Sequence, residues 1–108
     1  MGGEQQYVRE LVESKPVVVF SKTYCPFCTK AKRALAAVGA EYELIELDQT
    51  SNGSAIQAAL ASLTGQRTVP NVFVGGQSIG GGDETEALRR TGKLQTMTQQ
   101  AVAAMAAR

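Results

Sequence analysis

Apolar and polar positions along this chain change period several times, and each change marks an element. From Gln5 to Glu13, Tyr7, Val8, Leu11 and Val12 recur on one helical stripe, and Pro16 ends the segment. Val17-Val18-Val19-Phe20 is a continuous, mostly β-branched run, the pattern of a strand buried on both faces. Ser21 to Tyr24 reads as a loop. Pro26 suits a first helical position, and Ala31, Ala34, Leu35 and Val38 follow at helical spacing, with Gly39 as the C-terminal stop. Tyr42 to Leu47 alternates apolar and acidic residues, which predicts a strand. A polar loop, Asp48 to Gly53, leads to a helix over Ser54 to Leu63 with Ile56, Leu60 and Leu63 inward. Asn71 to Val74, the pair Gly75-Gly76, and Gln77 to Ile79 make a strand–turn–strand hairpin. Gly80-Gly81-Gly82 breaks it. Asp83 is expected to cap the next helix in a box with Glu86. After Gly92 a last helix runs from Lys93 to Ala107, with Leu94, Met97, Ala101, Val102 and Met105 inward.

The resulting order is α-β-α-β-α-β-β-α-α. The first two strands are joined through a helix, so they are expected to be parallel, with a right-handed crossover. The last two form an antiparallel hairpin. This is an α/β chain with a four-stranded mixed sheet flanked by helices, the thioredoxin-like fold. Its 108 residues suit one domain, residues 1 to 108, with no linker or repeat.

Composition narrows the chemistry. Eleven Lys and Arg against ten Asp and Glu leave a net charge of +1, too little for electrostatic binding of nucleic acid. No apolar run approaches the roughly 20 residues that cross a bilayer, so no membrane association is expected. The opening Met-Gly-Gly-Glu-Gln-Gln lacks an apolar signal core and the Arg and Ser of a transit peptide, and Gln6 breaks the myristoylation pattern. A cytoplasmic location is therefore expected. With no His, His-based catalysis and His-ligated metal sites are excluded.

The two cysteines, Cys25 and Cys28, stand three positions apart. A disulfide framework needs more cysteines, spread further. Zinc needs four ligands, and this chain has neither His nor further Cys. Haem attachment needs His after the second Cys, where Thr29 stands. A structural disulfide remains open, but a bridge closing so short a loop stabilises little. Redox chemistry takes the remaining weight. If Pro26 opens the helix, Cys25 is its cap, and its sulfur faces backbone N–H groups at the positive end of the helix dipole. That setting favours thiolate over thiol, helped by Lys22, Lys30, Lys32 and Arg33. Cys28, one turn inside, is less exposed. Cys25 is thus the attacking sulfur and Cys28 the resolving one.

Three segments together carry a family resemblance. They are Lys22-Thr23-Tyr24-Cys25-Pro26-Phe27-Cys28, then Gly65-Gln66-Arg67-Thr68-Val69-Pro70-Asn71-Val72-Phe73, then Ile79-Gly80-Gly81 with Asp83-Glu84-Thr85. In this order and spacing the chain resembles the glutaredoxins, of the dithiol group with a Cys-Pro-[Tyr/Phe]-Cys site, over roughly residues 5 to 103.

The resemblance implies a glutathione-dependent thiol–disulfide oxidoreductase. It would use glutathione as cosubstrate and serve glutathionylated or disulfide-bonded proteins, as a monomer and with no metal. Lys22 and Gln66 would meet the glycine carboxylate of glutathione. Tyr24, Phe27 and Thr68 would line the site. Val69 would pair with the tripeptide backbone like an added strand, beside a cis Pro70. Gly81 would allow close approach, and Asp83 and Glu84 would hold the γ-glutamyl end. Three departures from the pattern stand out. Gly82 replaces the usual Cys, Ser or Asn; Glu84 replaces Asp; Phe27 replaces the commoner Tyr and loses a hydroxyl. Some glutaredoxins instead hold a [2Fe–2S] cluster between two copies, on two first-cysteine thiolates and two glutathiones. Pro26 should stiffen the turn against that geometry.

Overall fold

The computed structural model describes residues 2–108. Its order is α1 (Gly2–Ser14), β1 (Val17–Ser21), α2 (Pro26–Ala37), β2 (Glu43–Glu46), a 3-10 turn (Leu47–Gln49), α3 (Gly53–Thr64), β3 (Asn71–Val74), β4 (Gln77–Gly80), α4 (Gly82–Arg90) and α5 (Lys93–Ala106). The sheet order is β2-β1-β3-β4. β1 runs parallel to β2, with Val19 opposite Leu44, and antiparallel to β3, with Val19 opposite Val72. β3 and β4 form the antiparallel hairpin. The thioredoxin-like architecture expected from the pattern is the one observed.

Because side chains alternate across a strand, the buried run in β1 feeds two cores. Val18 and Phe20 face Val8 and Val12 of α1, Ile56 and Leu60 of α3, and Phe73. The rings of Phe20 and Phe73 meet edge-to-face at 5.8 Å. On the other face, Val17 and Val19 pack with Ala31, Ala34 and Leu35 of α2, Val72, and Leu94 of α5. No helix among the described residues is long and apolar enough to cross a membrane.

Several boundaries differ from the pattern reading. The edge strand β2 is shorter than Tyr42 to Leu47, because Leu47 turns inward as a buried residue of the 3-10 turn. α3 begins at Gly53, not Ser54. A Cβ at Gly53 would lie 1.9 Å from the Leu47 carbonyl oxygen, so only glycine lets the turn pack on this helix start. In α5 the buried positions are Leu94, Thr98 and Ala101, and Val102 is 54% exposed because it falls off that stripe.

The start of α4 is the largest correction. Asp83 is not its cap: the N-cap is Gly81, and Gly82 is already helical. The Gly81 N–H donates to Oε1 of Glu84 at 2.8 Å, so Glu84 supplies the capping carboxylate expected from Glu86. Glu86 instead pairs with Arg89 and Arg90. Gly82, the first residue of α4, lies directly on the carbonyl of Phe27, where a Cβ would come within 2.4 Å of the oxygen.

Candidate active site

The site forms where β1 ends and α2 begins. Cys25 is the N-cap of α2, with extended backbone at φ −101° and ψ 115°, and Pro26 is the first helical residue. The N–H of Cys28 donates to the Cys25 sulfur at 3.2 Å, so one of the orphan helix-terminal donors is aimed at that sulfur. The loop is closed by the Cys25 N–H donating to the Lys22 carbonyl at 3.3 Å. Both cysteines are free thiols, Cys25 half-buried and Cys28 buried. Burial pushes the Cys28 thiol above its ordinary value, and the neighbouring Cys25 adds to this. The Lys22 N–H reaches the Cys28 sulfur at 3.5 Å. The two sulfurs therefore have different environments, one on a half-buried residue beside a donor and one inside.

The Thr68-Val69-Pro70 segment crosses the same sulfur. The Val69–Pro70 bond is cis, as the resemblance implied. The Cys25 thiol donates to the Val69 carbonyl at 3.6 Å. A Cβ on Gly81 would stand 3.4 Å from the Pro70 carbonyl oxygen, so the start of α4 closes against this loop. Tyr24 and Phe27 flank Cys25 with large exposed faces, 72% and 53%. Lys22 is half-buried beside them, and Thr68 is exposed.

Three candidate ligand residues already have partners. Gln66 Nε2 donates to the carbonyls of Thr68 at 2.9 Å and Pro70 at 2.8 Å. Both amide hydrogens thus hold the cis-proline loop rather than face outward toward a carboxylate. Asp83 forms an ion pair with Lys30 at 2.6 Å. Glu84 caps its own helix, as described. One contributor was invisible in the sequence: Asp48, 25 residues from Thr23, accepts both the backbone N–H and the hydroxyl of Thr23. Its carboxyl is held below the ordinary range, chiefly by the Thr23 hydroxyl. The basic cluster also divides. Lys32 turns toward β2 and pairs with Glu46 at 2.7 Å, away from Lys30 and Arg33. Among the described residues no group of three or more Cys, Asp and Glu could hold a metal ion.

A buried thiol one turn inside a helix capped by an accessible thiol is the arrangement of a dithiol exchange site, and comparison with known proteins agrees. The glutaredoxin family model matches residues 17–79. A glutaredoxin of Ricinus communis is 60% identical over 86 residues, covering 80% of this chain and 84% of its own. Glutaredoxin-C2 of Arabidopsis thaliana is 56% identical over 89 residues, covering 82% and 80%. Among solved structures, the buckwheat glutaredoxin–glutathione complex superposes with a TM-score of 0.88 at 53% identity, covering 93% of this chain and 91% of that one. The holo form of glutaredoxin C1 from Populus tremula x tremuloides gives 0.90 at 47% identity, covering 94% and 92%. With its Cys25–Cys28 pair at the cap of α2 and its cis-proline loop, this chain belongs to the glutaredoxin family of thiol–disulfide oxidoreductases.

Proposed function

We propose that the protein reduces protein–glutathione mixed disulfides, and protein disulfides, at the expense of glutathione. The observation that carries this is the Cys25 sulfur, accessible, capping α2 and receiving the Cys28 N–H at 3.2 Å. That donor stabilises negative charge on sulfur when the thiolate forms. The Cys25 thiolate attacks the glutathione sulfur of the mixed disulfide. The old S–S bond breaks, and the target protein leaves as a thiolate that takes a proton from water. Cys25 now carries glutathione. A second glutathione thiolate attacks the glutathione sulfur of that adduct, releasing oxidised glutathione and the Cys25 thiolate. In the dithiol route Cys28 loses its proton and attacks the Cys25 sulfur, expelling reduced glutathione and leaving a Cys25–Cys28 disulfide. Two further glutathiones reduce that bond. A Cys28 raised by burial keeps its proton during the first attack, which leaves Cys25 as the nucleophile.

We infer that glutathione lies across the site. The Lys22 ammonium suits the glycine carboxylate, and the Val69 backbone suits strand-like pairing. The N-terminus of α4 suits the γ-glutamyl carboxylate, while Asp83 shares its charge between Lys30 and the ligand amine. A 53%-identical relative solved as a glutathione complex supports glutathione as the ligand. With its amide engaged, Gln66 acts by holding the loop. We assign the activity to a monomer in a reducing compartment, the cytoplasm.

The test is turnover of a glutathionylated peptide by wild type, Cys25→Ser and Cys28→Ser. Cys25→Ser should be inactive and Cys28→Ser active. Full activity of Cys25→Ser would overturn the assignment. The accessible Cys25 also admits the cluster reading, in which two copies each supply one thiolate. Pro26 at the first helical position stiffens this turn and weighs against it. Visible absorbance after anaerobic reconstitution, with loss of exchange activity, would favour the cluster.

A further inference from the structure

A groove of about 430 Å³ runs between α2 and α4 and opens at Pro26, the residue after the nucleophile. Pro26, Ala34 and Ala37 are the small, apolar members of its lining. Lys30 and Arg33 of α2 face Arg89 and Arg90 of α4 along it. Only two carboxylates answer these four cations. Asp83 is paired with Lys30 at 2.6 Å, and Glu86 is shared by Arg89 at 2.7 Å and Arg90 at 3.3 Å. Arg33 is exposed and has no ion-pair partner among the described residues, and Arg90 is 72% exposed. The whole chain carries only +1, so this groove concentrates positive charge beside the reacting sulfur.

We propose that this groove docks an acidic segment of the substrate protein, one with Asp or Glu near the cysteine that carries the mixed disulfide. The inference rests on the exchange reaction proposed above and names its preferred substrate class. Small lining side chains leave room for a peptide backbone, and a cationic rim favours carboxylates over ammonium groups. Exposed ion pairs add little to static affinity. A one-sign field beside a reaction centre acts mainly on encounter, and salt screens it.

The experiment compares kcat/KM for three substrates in the same glutathione-coupled assay. They are the mixed disulfide of glutathione with 2-mercaptoethanol, a glutathionylated peptide with Asp and Glu flanking its cysteine, and the same peptide with Lys at those positions. At low salt the acidic peptide should exceed the basic one by roughly tenfold, and the two should converge near 0.3 M salt, where screening acts within about 6 Å. Arg33→Glu with Arg90→Glu should abolish or invert the preference, each peptide rate being taken relative to that variant's own rate on the 2-mercaptoethanol substrate. Arg33→Gln with Arg90→Gln is a milder pair that should reduce the preference if the Glu pair does not fold. Equal rates for both peptides at low salt, or a preference that survives both variant pairs, would overturn the docking site. A rise in KM for glutathione itself in the variants would assign the field to glutathione and also overturn it. No turnover of the 2-mercaptoethanol substrate by wild type would instead overturn the exchange reading beneath it.

Discussion

Asp48 takes both hydrogens that Thr23 offers: the backbone N–H at 3.0 Å on one carboxylate oxygen and the hydroxyl on the other. Thr23 lies two residues before Cys25, and Asp48 lies in the 3-10 turn after β2, so this pair ties the active-site loop to the edge of the sheet. Asp48→Ala should free Thr23 and lower kcat/KM severalfold. Thr23→Val removes only the hydroxyl bond and should cost less, and the double variant should lose little more than Asp48→Ala alone, since the Asp48 carboxylate accepts both bonds. Full additivity of the two losses in a double-mutant cycle would argue that the residues act separately.

Gly82 lies on the carbonyl of Phe27, with space for no side chain. Gly82→Ala therefore has to push α4 away from the Cys-Pro-Phe-Cys turn. Overpacking of this kind costs about 1–3 kcal/mol. Because α4 also carries Asp83 and Glu84, KM for glutathione should rise with the loss of stability. Unchanged melting temperature and unchanged KM in Gly82→Ala would show that the two helices separate without cost.

Gln66 separates two roles that the sequence could not. Its amide hydrogens hold the carbonyls on either side of the Val69–Pro70 bond. Gln66→Leu keeps the volume and removes both donors; the exposed Thr68 carbonyl turns to water, while loss of the partner of Pro70, a buried residue, should lower stability by about 1–3 kcal/mol. A direct contact with the glycine carboxylate predicts a different result, in which KM for glutathione rises at unchanged stability. Denaturation and steady-state kinetics on one variant distinguish them.

Glu86 gives a pH signature to α4. The Arg89 guanidinium holds its carboxyl at about 2, well below the ordinary 4.5. A folded value depressed in this way stabilises the protein above the unfolded value, and the contribution disappears as pH falls through the folded one. Glu86→Gln should therefore be less stable than wild type at pH ~6, and the gap should close as pH approaches ~2. A gap in urea midpoint that is constant across this range would mean that the ion pair contributes nothing through charge. High salt should narrow the gap at pH ~6, because the pair lies at the surface.

The chain's own sequence determined what depends on neighbours along the backbone. Val17 to Phe20 had to be a doubly buried strand, because four consecutive apolar residues place two on each face. Pro26 after Cys25 had to open a helix with a thiol at its cap, since proline has no N–H to lose there. The Gly75-Gly76 pair had to turn a hairpin. These are local statements, and the structure agrees with them. The cis Val69–Pro70 bond was legible only through resemblance, because nothing in these residues alone forces it. Tertiary structure decided which face met which. It set β1 between β2 and β3. It set the start of α4 at Gly82, a glycine that reads as a breaker in sequence and lies against the Phe27 carbonyl in the fold. It turned Lys32 toward Glu46 while Lys30, two residues earlier, reached Asp83. Periodicity records which side of a helix or strand is apolar. The partner of a charge or hydrogen-bonding group is chosen by whatever the fold brings opposite it, and a single sequence does not carry that information.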